Sequence, residues 1–101
     1  MYRIAQVDVR HGAVGRFGEL MQTVLPLLER HGGWRLEAAY TNVVGRVGRV
    51  HLIFEIPDAN AIPSVVGALR DSPEFAAVAA ELSDLIVEET TSLVARAPFS
   101  P

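Results

Sequence analysis

Apolar residues recur along this chain with two different periods, and each change of period marks a new element. A strand is predicted over residues 2 to 9, which are rich in β-branched side chains. From about residue 14 to residue 31, apolar side chains recur at spacings of three and four, which predicts a long helix with one apolar face. The pair Gly32-Gly33 is predicted to end this helix, because glycine adopts the left-handed conformation of a helix C-terminus.

Two further strands are predicted after the long helix. Residues 34 to 42 alternate in a way that places Trp34 and Tyr40 in the same row. Residues 50 to 56 also alternate, and all their even positions are apolar. Their odd positions are mixed in character: His51, Ile53 and Glu55. The even row is therefore predicted to meet the helices, and the odd row to lie on the opposite face of the sheet.

The second half of the chain predicts a broken helix and a last strand. Pro57-Asp58 ends the third strand, and Ser72-Pro73 is typical of a fresh helix start, with serine as cap and proline at the first helical position. The last strand is predicted from about residue 86 to residue 95. This order of elements is the split β-α-β pattern of a ferredoxin-like α+β domain with a four-stranded antiparallel sheet. One such domain accounts for residues 1–101.

One face of that sheet has no helix to cover it. The third strand places His51, Ile53 and Glu55 on this face, which is half apolar and half polar. Such a face either stays in contact with water or packs against a copy of itself. The pattern leaves both outcomes open, and the second would enclose a lined cavity between two sheets.

Composition and charge exclude several classes of function. The chain has no cysteine, and all nine of its basic residues are arginine, so thiolate and Schiff-base catalysis are excluded. The net charge is −3 and the arginines are scattered, so no basic face for nucleic acid is expected. No apolar run approaches the ~20 residues of a membrane helix, and no signal-peptide pattern is present. We therefore expect a cytoplasmic protein without a membrane partner.

Four features of the chain resemble the NIPSNAP family. They are Tyr2 at the start of the first strand, residues 25 to 33 at the helix end, Val50-His51-Leu52, and the terminal Pro98-Phe99-Ser100-Pro101. The resemblance spans almost the whole chain and implies a dimeric α+β barrel, in which two copies pack their sheets face to face. Relatives with that architecture include cofactor-free monooxygenases, polyketide cyclases, haem-degrading proteins and small-molecule binders.

The first and third strands depart from the family pattern. Ala5 stands where the family usually has an arginine, Val7 where it has an aromatic residue, and Ile53 where a tryptophan is frequent. The cavity is therefore expected to be less aromatic than in the family. Arg3, two positions from Ala5 on the same face, is the candidate substitute for the missing arginine.

His51 is the leading catalytic candidate, because an imidazole in mid-strand can exchange protons near neutral pH. Its alternative role is a hydrogen-bonded side chain inside a dimer interface. Tyr40 is a candidate hydrogen-bonding partner of His51, and Glu55 or Arg3 a candidate orienting charge. Glu55 is as readily explained as a solvated strand-end residue.

The remaining candidates are ligand-binding or structural. Trp34, Arg3 and Ile53 are candidate ligand contacts, although Trp34 and Tyr40 would equally serve core packing. Arg46 and Arg49 are predicted to form a solvated hairpin tip. The three histidines lack short ligand spacing, so no metal site is predicted.

Two functions of different classes follow from these candidates. The first is a homodimeric enzyme of secondary or catabolic metabolism that needs no bound cofactor. It would carry out cyclisation, isomerisation or cofactor-free oxidation of an apolar or aromatic small molecule. The second is a non-catalytic small-molecule-binding or scaffolding protein, in which the same face is only a dimer core.

Overall fold

The computed structural model describes residues 1–101 and contains all the predicted elements in the predicted order. They are β1 (Tyr2–Val9), α1 (Val14–Gly32), β2 (Arg35–Thr41), β3 (Arg49–Glu55), α2 (Ala61–Arg70), α3 (Pro73–Leu85) and β4 (Ile86–Val94). None of the helices is long and apolar enough to cross a bilayer.

The four strands form one antiparallel sheet in the order β2-β3-β1-β4. The two central strands, β3 and β1, are not consecutive in sequence, because α1 and β2 intervene between them. All three helices pack on one face of the sheet, and the ferredoxin-like α+β prediction is confirmed. The other face of the sheet has no helix.

Local sequence explains where the helices begin and end. Gly33 adopts a φ of 66° after α1, and its N–H donates to the Glu29 carbonyl oxygen at 2.9 Å. The Trp34 N–H then donates to the Leu28 carbonyl oxygen, which closes the helix and turns the chain directly into β2. At the start of α3, the Ser72 hydroxyl accepts the Phe75 N–H at 3.2 Å, as predicted for a serine cap.

The hydrophobic core lies between the sheet and the helices. The even row of β3 is buried there, as predicted, and Phe54 is only 1% exposed. Phe54 packs against Trp34 with ring centroids 5.6 Å apart at a tilted angle, a favourable arrangement for aromatic pairs. Leu27 of α1 and Val65 of α2 are buried to the same degree.

A register shift in β2 reverses which residues share a face. Leu36 is opposite Phe54 and Ala38 is opposite Ile53, so Glu37 is the extra residue of a bulge. Because side chains alternate with a period of two, one extra residue moves every later side chain to the other face. The prediction that Trp34 and Tyr40 share a face is therefore wrong: Trp34 is buried in the core, whereas Tyr40 is 58% exposed on the other side.

Candidate functional site

We call the helix-free face of the sheet the open face. Its cross-strand rows are Tyr40–His51–Gln6–Thr90, Ala38–Ile53–Ile4–Ser92, Arg35–Glu55–Tyr2–Val94 and Arg49–Asp8–Glu88. Four of the six predicted site residues lie on it: His51, Tyr40, Ile53 and Glu55. The two central rows are neighbours: the row that contains His51 is polar, and the row that contains Ile53 is mainly apolar.

The hydrogen bond between His51 and Asn42 selects the imidazole tautomer. The Asn42 amide nitrogen donates to the Arg46 carbonyl oxygen at 3.0 Å, which turns Oδ1 toward His51. Since Oδ1 can only accept, Nε2 of His51, 2.8 Å away, carries the proton. Nδ1 is then the basic nitrogen, and no protein group binds it. The side chain is thus arranged to accept a proton on the open face.

Glu55 does not orient His51. Its Oε2 accepts from Arg35 Nη2 at 3.0 Å, and its side chain is 44% exposed. A hydrogen bond shared with the Glu37 carboxyl and the guanidinium of Arg35 both lower the pKa of Glu55 below its ordinary value. The structure thus gives Glu55 an ion-pair partner at the edge of the sheet and no contact with His51.

Asp8 and Arg49 form a partly buried ion pair beside His51. Arg49 donates from Nε to Oδ1 at 2.8 Å and from Nη2 to Oδ2 at 3.2 Å, a bidentate arrangement. These hydrogen bonds lower the pKa of Asp8, and the positive charges of Arg46 and Arg49 lower it further. The Asp8 side chain is 7% exposed and that of Arg49 29%. The prediction of a solvated tip is therefore wrong for Arg49, because strand pairing places it opposite Asp8.

Arg3 and Trp34 lie on the helix side of the sheet. The guanidinium carbon of Arg3 is 5.0 Å from the centroid of the Trp34 ring, within cation–π range. Arg3 Nη2 is also 3.5 Å from Glu89 Oε1. Because the sheet separates them from His51, Arg3 cannot be its orienting charge, and a single ligand in one protomer cannot touch both sets of residues. This corrects the expectation of one shared site.

A cavity of about 260 Å³ lies between the sheet and the helices on that side. Sixteen residues line it and fourteen are hydrophobic, including Met21, Trp34 and Phe75. The other two are Arg3 and Glu89, the ion pair described above. An apolar cavity with very few polar groups is typical of small-molecule sites.

A larger depression is of a different kind. It measures about 450 Å³ at the edge of the sheet beside Arg35 and Glu55. Only one of its six lining residues is hydrophobic, so it offers an apolar molecule little contact. No group of three histidine or carboxylate side chains is placed to bind a metal ion.

Three residues that contribute to the two faces of the sheet were not identified as site candidates from the sequence: Asp8, Asn42 and Glu89. Asp8 shares the parity of Ile4 and Gln6 in β1, so the period of two could have placed it on the open face. Glu89 could have been assigned a face in the same way, but not its approach to Arg3. No sequence signal identifies Asn42, because its contact with His51 depends on how β2 and β3 pair.

The antiparallel sheet, helices on one face and an open opposite face define a ferredoxin-like α+β protein, the fold class to which the protomers of dimeric α+β barrel proteins belong. The NIPSNAP family model matches residues 2–101, and the chain belongs to that family. No curated protein matches the chain.

Two solved structures of family members share the fold over nearly the whole chain. An uncharacterised NIPSNAP domain protein from Burkholderia xenovorans is 17% identical with a TM-score of 0.82, and the match covers 99% of this chain and 97% of that one. Protein Atu4242 from Agrobacterium tumefaciens is 18% identical with a TM-score of 0.84, covering 99% and 96%.

A third similar structure has a described activity. SnoaB from Streptomyces nogalater, a cofactor-independent oxygenase, is 16% identical with a TM-score of 0.70. The match covers 98% of this chain and 96% of SnoaB. At these identities the likenesses show a shared fold, and fold alone does not define a reaction.

Proposed function

We propose that the protein is a homodimeric enzyme that acts without a bound cofactor on an apolar or aromatic small molecule. The observation that carries the proposal is the cavity between sheet and helices, with fourteen hydrophobic lining residues and a single ion pair. Such a lining desolvates a small aromatic molecule and leaves few places for its polar group. A cytoplasmic location and a role in secondary or catabolic metabolism stay predictions.

The open face supports the homodimer. Ile4 and Ile53 are direct cross-strand partners at its centre, and no helix of the chain covers them. A second copy of the same face would remove these side chains from water, which is the usual driving force for a sheet-to-sheet interface. The proposal of an enzyme without a bound cofactor has separate support from SnoaB, a cofactor-independent oxygenase of similar fold.

Within the cavity, Glu89 is the residue suited to proton transfer. It is the only carboxylate in the lining, and the lining contains no histidine. In the proposed reaction, Glu89 accepts a proton from an acidic C–H of the substrate, and the electron pair remains on the substrate as an enolate. Cyclisation, isomerisation or reaction with dioxygen can each follow from such an anion.

The open face is the second candidate for the chemistry. What favours it is His51, whose Nδ1 is left free as a base by the hydrogen bond to Asn42. Tyr40 lies opposite His51, and the apolar row with Ile53 lies beside it. In this version the substrate is held between the sheets of two copies, with Tyr40 as hydrogen-bonding partner.

Conversion of an extract from the host organism distinguishes these candidates. The purified protein would be incubated with the host's small-molecule extract and the loss of compounds followed by mass spectrometry. Val66→Phe narrows the cavity, Glu89→Gln removes its carboxylate, and His51→Ala removes the imidazole. Val87→Phe is the matched control, because Val87 is 61% exposed and does not line the cavity.

We expect Val66→Phe and Glu89→Gln to lose the conversion while Val87→Phe retains it. Loss in His51→Ala, with Val66→Phe still active, would move the chemistry to the open face. A protein that forms a reproducible adduct in native mass spectra but consumes nothing would be a non-catalytic binding protein. In that case the enzyme proposal is wrong and the scaffolding alternative takes its place.

A further inference from the structure

The guanidinium group of Arg3 lacks the partners that a buried arginine normally has. Its side chain is only 19% exposed, yet it donates no hydrogen bond to any protein atom. Its nearest anion, Glu89 Oε1, is 3.5 Å away, which is longer than a charge-assisted hydrogen bond. Its nitrogen atoms are not sealed from solvent, since the only fully buried unpaired side-chain nitrogen in the protein is Nε1 of Trp34.

Packing holds this guanidinium at the cavity wall. The group lies 5.0 Å from the centroid of the Trp34 ring, and Trp34 is 5% exposed and fixed against Phe54. The nitrogen atoms of Arg3 are accessible and the residue lines the cavity, so an anion in the cavity can reach the guanidinium where an ion pair is screened less than in open water. Glu89 leaves the donors of this guanidinium free, because its nearest oxygen is 3.5 Å away and makes no hydrogen bond with it. The site therefore retains unused capacity for an anion.

We propose that the ligand of the cavity is an apolar acid whose carboxylate binds Arg3. This inference rests on the proposed function, because it takes the cavity to be the small-molecule site. Arg3 is the only cation in the lining, so an anionic group on a ligand has one place to bind. Its planar fork matches a carboxylate with two parallel hydrogen bonds, which a neutral oxygen cannot equal. The hydrophobic lining then holds the rest of the molecule.

Glu89 competes with the ligand for Arg3. A carboxylate that enters the cavity must approach the same guanidinium and is repelled by the Glu89 charge. Removing that charge by Glu89→Gln should therefore strengthen binding of an acid. If Arg3 serves only to anchor β1 to β4, the same substitution would have no such effect.

A matched pair of two-ring probes tests the proposal. The acid is 2-naphthoate, and the neutral analogue of similar shape is 2-acetylnaphthalene. Affinities are measured by calorimetry on the wild-type protein, Arg3→Met, Glu89→Gln and the control Arg70→Met. Arg70→Met changes the net charge by the same amount as Arg3→Met. Arg70 makes no ion pair and does not line the cavity, so its loss should leave the site unchanged. Trp34 is the only tryptophan, and its fluorescence reports whether a probe is in the cavity.

We expect 2-naphthoate to bind more tightly than 2-acetylnaphthalene, and Arg3→Met to weaken the acid at least about tenfold. The neutral probe should be nearly unaffected by Arg3→Met, and Glu89→Gln should bind the acid more tightly than the wild-type protein. Equal affinities for the two probes, or a weaker acid complex in Glu89→Gln, would overturn this inference alone. Failure of both probes to bind or to change Trp34 fluorescence would overturn the cavity as the small-molecule site.

Discussion

Ile4 and Ile53 face each other across the central strand pair β1–β3, on the side of the sheet that has no helix. Both side chains are only partly buried, and the row next to them contains Tyr40, His51 and Gln6. The most central position of the open face is thus an apolar contact surrounded by polar side chains. In a twofold dimer centred on this face, a second copy would bring its own Ile4 and Ile53 close to the same spot.

Ile53→Arg should therefore break the proposed dimer. The substitution places two like charges close to the twofold axis, where each would be desolvated without a partner. We expect the dimer dissociation constant to rise at least about a hundredfold. Size exclusion with light scattering checks this, against Val47→Arg at the exposed hairpin tip, where Val47 is 77% exposed. A wild-type protein that elutes with the 11.0 kDa mass of one chain would show that no dimer forms.

Asn42→Ala should remove the preference of the neutral His51 imidazole for a proton on Nε2. In the wild-type protein, Oδ1 of Asn42 requires the proton on Nε2, so the neutral imidazole should be almost wholly in that form. Nitrogen-15 chemical shifts of the ring, recorded about two pH units above the ordinary histidine pKa, measure the tautomer ratio. His11 and His31, which make no side-chain hydrogen bond, serve as internal references. An unchanged ratio for His51 in Asn42→Ala would show that Asn42 does not select the tautomer.

Stability should fall in acid partly through Asp8. Its folded-state pKa lies below the ordinary value of 3.8 because Arg49 donates two hydrogen bonds to it. The unfolded chain therefore takes up the proton first as the pH falls. The contribution of Asp8 is complete above pH 3.8 and is lost as the pH drops through the lower folded-state value.

Urea unfolding from about pH 6 to about pH 2.5 would measure this contribution. Asp8→Asn should be less stable than the wild-type protein at neutral pH and should lose less stability in acid. Glu55 and Glu81 also have lowered pKa values, so some acid dependence will remain. Asp71→Asn, at an exposed carboxyl without an ion pair, should keep the wild-type pH dependence. Parallel curves for Asp8→Asn and the wild-type protein would contradict the assignment.

Gly48→Ala should destabilise the protein more than Gly12→Ala. Both glycines have a left-handed φ, +83° and +79°, so alanine costs each about 1 kcal/mol in backbone strain. At Gly48 the added Cβ would also lie 2.6 Å from the Val9 carbonyl oxygen, whereas at Gly12 it meets no atom within 4 Å. We expect Gly48→Ala to cost at least about 1 kcal/mol more in the free energy of unfolding. Equal costs would mean that the strand end moves to accommodate the methyl group.

Much of the fold could be predicted because its signals are local. The period of α1, the Gly32-Gly33 stop and the Ser72 cap each depend on residues within a few positions, and all three are present. The apolar even row of β3 also identified the core face correctly, with Phe54 at its centre. The sequence also placed His51 and Ile53 on the uncovered face, because β3 has no irregularity between residues 49 and 55.

The division of the candidate site into two faces depended on tertiary structure. Glu37 becomes a bulge only when β2 pairs with β3, and that one extra residue separates Tyr40 on the open face from Trp34 in the core. Likewise, the contacts of Arg3 with Glu89, and of Asn42 with His51, join residues from different strands or a loop. The sequence by itself therefore determined the elements, the core row and the presence of an uncovered face. Only the strand register decided which candidate residues meet, because that register is set by long-range pairing and not by any local pattern.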